Sequence, residues 1–222
     1  MTAVRVAVVY HSAYRGSTAA LAAAVARGAA RVEDAEVLQV PVEQVDEHWD
    51  DLHAADALVL GSPTYVGSIS AAFKAFIERL AGDVWRERMW LSKLAGGFTV
   101  GSGPSGDQLN TLQNLAIFAA QMGMIWVPVR QTGGHYASTT SYVDATNRIG
   151  GYLGVMAQAQ IDERPPQAPP ASDLRTAELH GEHIATVARQ LACGRARHPS
   201  PYPDRRTRPG RPATLWDRPL TK

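Results

Sequence analysis

The segment His11 to Thr18, read HSAYRGST, gathers hydroxyls at Ser12, Ser17 and Thr18, a flexible Gly16 and a cation at Arg15. It leads straight into a helix-like run. Free backbone N–H groups and the helix dipole at such a start favour a phosphate. It is not a Walker loop, because the Gly-x-x-x-x-Gly-Lys pattern is missing. The same hydroxyls also make an ordinary Ser/Thr helix cap, and this loop alone does not choose between the two readings.

Two further loops carry similar chemistry. In GSPTYVGSISAAFKAFIERL, Gly61 to Leu80, Pro63 and Gly67 bracket a tight turn. Its backbone can approach a flat heterocycle edge-on, with Tyr65 alongside; an ordinary strand-to-helix turn is the plainer alternative. The third loop, GSGPSGDQ from Gly101 to Gln108, matches Gly-x-Gly-x-x-Gly letter for letter. A dinucleotide fold places that motif after its first strand and a ribose-binding acid after the next one. Here the motif follows a fourth strand, and Val129-Arg130-Gln131 stands where the acid belongs. A Gly/Ser loop offering backbone donors to a ring system is the better reading.

The elements around these loops alternate. Val4 to Tyr10 is a β-branched apolar run, strand length and nearly continuous, as expected for a strand buried on both faces. Ser17 to Val32 reads as an Ala-rich helix with a stripe through Leu21, Val25 and Ala29. Strands are expected at Glu36 to Val40, Ala57 to Leu60, Leu94 to Val100 and Ile125 to Val129. Helices are expected at Ser68 to Leu80, Asp107 to Met122 and Ser172 to Leu191, the last capped by Ser172 or Asp173. The pattern predicts an α/β fold: a doubly wound five-stranded parallel sheet with helices on both faces. Ligands of such sheets sit beyond the C-terminal strand ends, near the topological switch point, which brings the three loops to one edge. Residues 130–167 read as irregular, and a long structureless segment inside a compact domain is often functional.

Composition narrows the function classes. With 222 residues and 45% apolar content, general disorder is excluded. The single Cys193 cannot form an internal disulfide or a thiolate metal site, which fits a reducing, cytoplasmic setting. No leader pattern opens the chain, and no apolar run reaches the ~18 residues of a membrane helix. Charge is uneven. From Gly194 onward eight basic residues face Asp204 and Asp217, a local +6, which leaves −5 on residues 1–193. We read 1–193 as one domain and 194–222, with six prolines, as a basic extension that is extended or disordered. That extension lacks a fold and has only Tyr202 and Trp216 as aromatics, so a nucleic-acid partner is not expected.

The three loops, in this order and spacing, resemble the flavodoxin-like NAD(P)H:quinone oxidoreductases of the WrbA family. The matching segments are YHSAYRGST, GSPTYVGSISAAFKAFI and KLAGGFTVGSGPSGDQLNTLQNLAIFAAQMGM, with a weaker echo in NRIGGYLG. The likeness runs from Val4 to about Leu191. It implies a bound FMN, NAD(P)H as co-substrate, a quinone acceptor and a homodimer or homotetramer. By position it implies that Ser12, Gly16, Ser17 and Thr18 form the phosphate loop, in which Arg15 stands as an extra residue, with Tyr14 able to touch the nicotinamide nucleotide. It further implies that Pro63, Thr64, Tyr65, Val66 and Gly67 hold the isoalloxazine. Ser102, Gly103, Pro104, Ser105, Gly106, Asp107 and Gln108 would form the second flavin loop. On the substrate side stand Trp85, Met122 (where many members carry a histidine) and His135, which follows Gly133-Gly134 in the long loop. No side chain is nominated as acid or base.

Other histidines read as background. His48 and His53, among Asp50, Asp51 and Asp56, are expected on a polar surface helix, and His180 and His183 on a solvated helix face. Cys193 is expected as a passive residue at a helix end. Two alternatives to the enzyme stand: a flavodoxin-type electron carrier, and a non-catalytic flavin-binding interaction protein.

Overall fold

The computed structural model describes residues 3–13 and 16–199. Tyr14, Arg15 and the extension beyond Pro199 lie outside the described residues.

The sheet is built outward from β1 (Val4–Tyr10), which pairs in parallel with β2 (Ala35–Pro41) and β3 (Ala57–Tyr65). β3 pairs with β4 (Ser68–Ile69) as a hairpin and with β5 (Leu94–Gly101) in parallel. The last position is shared. β6 (Ile125–Trp126) pairs with the start of β5, and β7 (Val155–Gln158) with its end. The order β2-β1-β3-β5-β6 puts the reversal of winding between β1 and β3. The expected parallel five-position sheet is present, but its fifth strand is two segments separated by residues 127–154.

Strand residues alternate between two cores, as period-2 geometry requires. Val4, Val6 and Val8 face α1 (Ser17–Ala29) and α6 (Ala171–Arg197), together with Leu21, Val25 and Ile184. Ala7, Val9, Leu58 and Leu60 face the other side. There they meet a 3-10 turn at Val42–Glu47 and the helices α2 (Trp49–Ala54), α3 (Ala71–Arg79), α4 (Asp83–Arg86) and α5 (Gln108–Gln121). Both faces of every central strand are buried, which is why the first strand reads as a continuous apolar run. α1 and α6 touch backbone to backbone. A Cβ at Gly28 would lie 1.8 Å from the Glu178 carbonyl oxygen, and one at Gly181 2.0 Å from that of Val25. Among the described residues no helix is long and apolar enough to cross a membrane.

Several local expectations are corrected. β3 continues five residues past Leu60, and the helix expected from Ser68 starts at Ala71, with Ser70 Oγ accepting from Phe73 N. His53 is buried: its Nδ1 accepts from Trp90 Nε1 at 3.2 Å, and its carbonyl from Lys93 Nζ at 2.7 Å. Burial also overturns the solvated reading of His180, which is fully enclosed under α6 with both ring nitrogens lacking a partner among the described residues. Desolvation lowers its pKa to about 3. α6 begins after Pro170, not at a Ser172 or Asp173 cap, and continues through Cys193 to Arg197. Ser172 Oγ donates instead to Val143 O at 2.6 Å.

Candidate functional site

The C-terminal ends of β1, β3, β5 and β7 surround a cleft of about 330 Å³. One end is the start of α1. Gly16 sits there at φ 78°, a left-handed conformation that suits glycine. Ser12 Oγ accepts from Ala19 N at 3.1 Å, and Gly16 O accepts from Ala20 N at 2.9 Å. Ser12 therefore is a helix cap, and the cleft is lined by the same turn through Ser12, Ala13, Gly16, Ser17 and Thr18. The two readings of this loop are compatible, because one hydroxyl satisfies a deeper N–H while the first N–H groups of a helix have no intrahelical acceptor.

The other end is built from three strand ends. Pro63, Thr64 and Tyr65 form one wall, and Val100, Gly101 and Ser102 a second. Ala159, Gln160 and Ile161 form the third. Thr64 is fixed by a hydroxyl junction. Its Oγ1 lies 2.8 Å from Thr99 Oγ1 on β5 and 2.8 Å from Thr111 Oγ1 on α5. Beyond Tyr65 the chain turns through Val66 (φ 49°) and Gly67 (φ 78°), the two positive φ angles of a type I′ hairpin. Asn110 Nδ2 donates to Gly67 O at 2.6 Å and ties this tip to α5.

Ser12, Gly16, Ser17, Thr18, Pro63, Thr64, Tyr65 and Ser102 thus meet in one cleft, as expected. Val66 and Gly67 form the hairpin tip rather than the wall. Gly103, Pro104, Ser105, Gly106 and Asp107 form a turn beyond the rim. Gln108 is buried beneath it and donates through Nε2 to Gly103 O at 2.9 Å. The third wall was missed. Its only sequence signal is the four-residue run VMAQ, too short to separate from the loop before it.

The substrate-side residues are not brought to this cleft within the chain. Met122 is buried in the core just past the far end of α5. Fourteen helical residues put it about 20 Å from the helix start. Trp85 lies half exposed on α4, which follows α3 away from the strand ends. His135 stands in the insert between β6 and β7, stacked on Tyr136 and edge-on to Tyr142. The insert is pinned by Gly134 N to Thr146 O at 3.1 Å and by Asn147 Nδ2 to Gln131 O at 2.9 Å.

No carboxylate, lysine, arginine or histidine lines the cleft among the described residues. Recognition there rests on hydroxyls, peptide groups, a helix start and flat apolar side chains. This donor set fits a flavin mononucleotide: a helix N-terminus with hydroxyls for the phosphate, and Tyr65, Val100 and Ile161 with peptide edges for the ring. The nearest buried charges are Arg148 and Asp173, behind the third wall. Arg148 Nε reaches Asp173 Oδ1 at 2.7 Å and its Nη2 reaches Oδ2 at 2.8 Å. Burial pushes the Asp173 carboxyl up, against the bonds from Arg148 and Gln158 N that favour its ionised form.

The family model for NADPH-dependent FMN reductase matches residues 4–138. Flavodoxin FldP of Pseudomonas aeruginosa is 33% identical over 186 residues, covering 83% of this chain and 96% of that protein. An NAD(P)H dehydrogenase (quinone) of Paracoccus denitrificans is 28% identical over 209 residues, covering 86% and 97%. The crystal structure of a WrbA-like flavodoxin from Agrobacterium tumefaciens superposes with a TM-score of 0.64 at 33% identity, over 85% of this chain and 99% of that one. With a doubly wound sheet, a cleft at its strand ends and these matches, the chain belongs to the NADPH-dependent FMN reductase family, in its WrbA-like branch.

Proposed function

We propose that this protein is an FMN-dependent oxidoreductase that takes a hydride from NAD(P)H and passes electrons to a quinone or similar flat acceptor. The observation that carries the site is the convergence of a helix start and three strand ends on one cleft that no charged side chain lines among the described residues. In this reading Ser12, Gly16, Ser17 and Thr18 hold the phosphate; Tyr14 and Arg15, expected with them, lie outside the described residues. Pro63, Thr64, Tyr65 and Ser102 hold the ring, joined by Ala159 to Ile161, while Val66-Gly67 and Gly103 to Gln108 shape the loops that carry them.

When bound, FMN supplies the two-electron chemistry. The chain binds and orients. The start of α1 faces the phosphate with its dipole and unpaired N–H groups. Peptide N–H groups of the ring-end loops would meet the polar edge of the ring as fixed hydrogen-bond donors. Tyr65 is a flat wall for nicotinamide or quinone. The Thr64–Thr99–Thr111 junction keeps that wall in register. One shared cleft for donor and acceptor leads to ping-pong kinetics. A cytoplasmic homodimer or homotetramer completes the reading, supported by half-exposed Trp85, Ile117 and Ile125 on the outer surface.

FldP is a flavodoxin by name, and its identity favours an electron carrier as the second reading. Carriers find partners through strongly acidic faces, whereas residues 1–193 carry only −5. The test is direct. The purified protein shows flavin absorbance and oxidises NADH or NADPH rapidly when benzoquinone is added. A yellow protein reduced only by a separate reductase identifies the carrier. A colourless protein that ignores added FMN ends both readings.

A further inference from the structure

Behind the cleft, one side chain connects two of its walls to a buried ion pair. Gln158 is the last residue of β7, and the next three residues form the third wall. Its backbone N–H donates to Asp173 Oδ2 at 2.9 Å. Its side-chain Oε1 receives both Arg148 Nη groups at 3.4 Å, and its Nε2 donates to Ser102 O, on the second wall, at 3.0 Å. The Arg148 and Asp173 side chains are 6% and 1% exposed and meet in a two-point fork.

We propose that Arg148 and Asp173 are positioning residues that act through the Gln158 amide to set the Ser102 peptide at the flavin cleft, an inference that rests on the flavin reading of that cleft. Chemistry dictates the direction. A guanidinium has donors and no acceptor, so the amide must turn its oxygen toward Arg148. Its NH₂ then faces the other way, where Ser102 O accepts. The peptide bond is planar and trans, so fixing Ser102 O also fixes the direction of the Gly103 N–H. Asp173 holds the guanidinium in its plane and anchors the Gln158 backbone. The anchor lies on α6 and the arginine in the β6–β7 insert. The insert that splits the fifth strand is thereby coupled to the ring end of the site.

The test uses the full-length protein, freed of flavin and titrated with FMN by fluorescence quenching, with far-UV circular dichroism as the check on folding. Gln158→Leu leaves the ion pair intact and removes the link to Ser102. Its Kd for FMN rises about fivefold, the scale of one net hydrogen bond, and the visible bands of bound flavin shift. Gln158→Glu keeps the arginine contact but sets a carboxylate oxygen against Ser102 O, and it weakens FMN more than Gln158→Leu does. The charge-free pair Arg148→Met with Asp173→Asn matches Gln158→Leu, and adding Gln158→Leu to that pair changes nothing further. Wild-type Kd and band positions in both Gln158 variants, alongside normal wild-type binding, overturn this inference alone. Failure of the wild-type protein to bind FMN removes the flavin reading and this inference with it.

Discussion

The two ends of the cleft are made in opposite ways. The helix-start end is local in sequence, Ser12, Ala13 and Gly16 to Thr18, held by contacts to the first turn of α1: Ser12 with Ala19, Gly16 with Ala20. The ring end is assembled from segments around 64, 101 and 160, held by Thr64–Thr99–Thr111 and by Arg148–Gln158–Ser102. A local turn is encoded by residue type, because hydroxyls and a glycine next to a helix suffice. A composite wall is encoded only by the sheet order that brings distant strand ends together. The first end therefore depends on conformation at single residues, the second on the integrity of the whole fold.

The largest expected effect acts on both ends at once, through the fold. The His180 imidazole stays neutral in the folded protein down to about pH 3, whereas in the unfolded chain it protonates near its ordinary 6.5. Proton uptake between those values favours the unfolded chain, so stability is lost as pH falls below 6.5, by about 3 kcal/mol at pH 4.5. Urea midpoints measured from pH 7 to 4.5 follow that slope, and His180→Leu flattens it. The next effect separates the ends. Gly16→Val puts a β-branched residue at φ 78° and weakens FMN binding by roughly 10- to 100-fold while changing riboflavin, which lacks the phosphate, much less. A similar loss for both ligands would erase the distinction between the ends.

Thr111→Val breaks the hydroxyl junction at the ring end. It weakens FMN and riboflavin alike, by about fivefold, the scale of one net hydrogen bond. The smallest effect belongs to the positions that lie elsewhere. Trp85→Ala and Met122→Leu leave the FMN Kd of the full-length protein within about twofold, since neither side chain reaches the cleft of its own chain and a Leu-for-Met exchange conserves core volume. A large loss in either variant places another copy's residue in the site, and size-exclusion chromatography with FMN titration at several protein concentrations distinguishes that outcome.

The same contrast decides what was legible in the sequence. Four of the five sheet positions are evident from their runs: the central β1, β3 and β5 because strands buried on both faces are apolar nearly throughout, and the edge strand β2 from Val37, Leu38 and Val40. The fifth is evident only in its first segment, expected at Ile125 to Val129 and present as Ile125–Trp126, since Val155–Gln158 contributes too few residues to carry a period. His53 and His180 sit among charged neighbours in sequence, yet the fold turns both inward, against Trp90 and beneath α6. Local composition cannot reveal which side of a helix meets the sheet when polar and apolar residues are mixed.

By itself, the sequence determined the alternation of strands and helices and the positions of the loops at Ser12, Pro63 and Ser102. Those features arise from neighbouring residues, through burial pattern, helix-start chemistry and turn-forming types. Only the tertiary structure decided that the residues just past β7 supply the third wall, that Met122 and Trp85 lie away from this chain's cleft, and that the Gln158 amide bridges Arg148 and Ser102. Those features depend on which distant segments share a strand position, and that is set by the packing of helices on the sheet rather than by any run of adjacent residues.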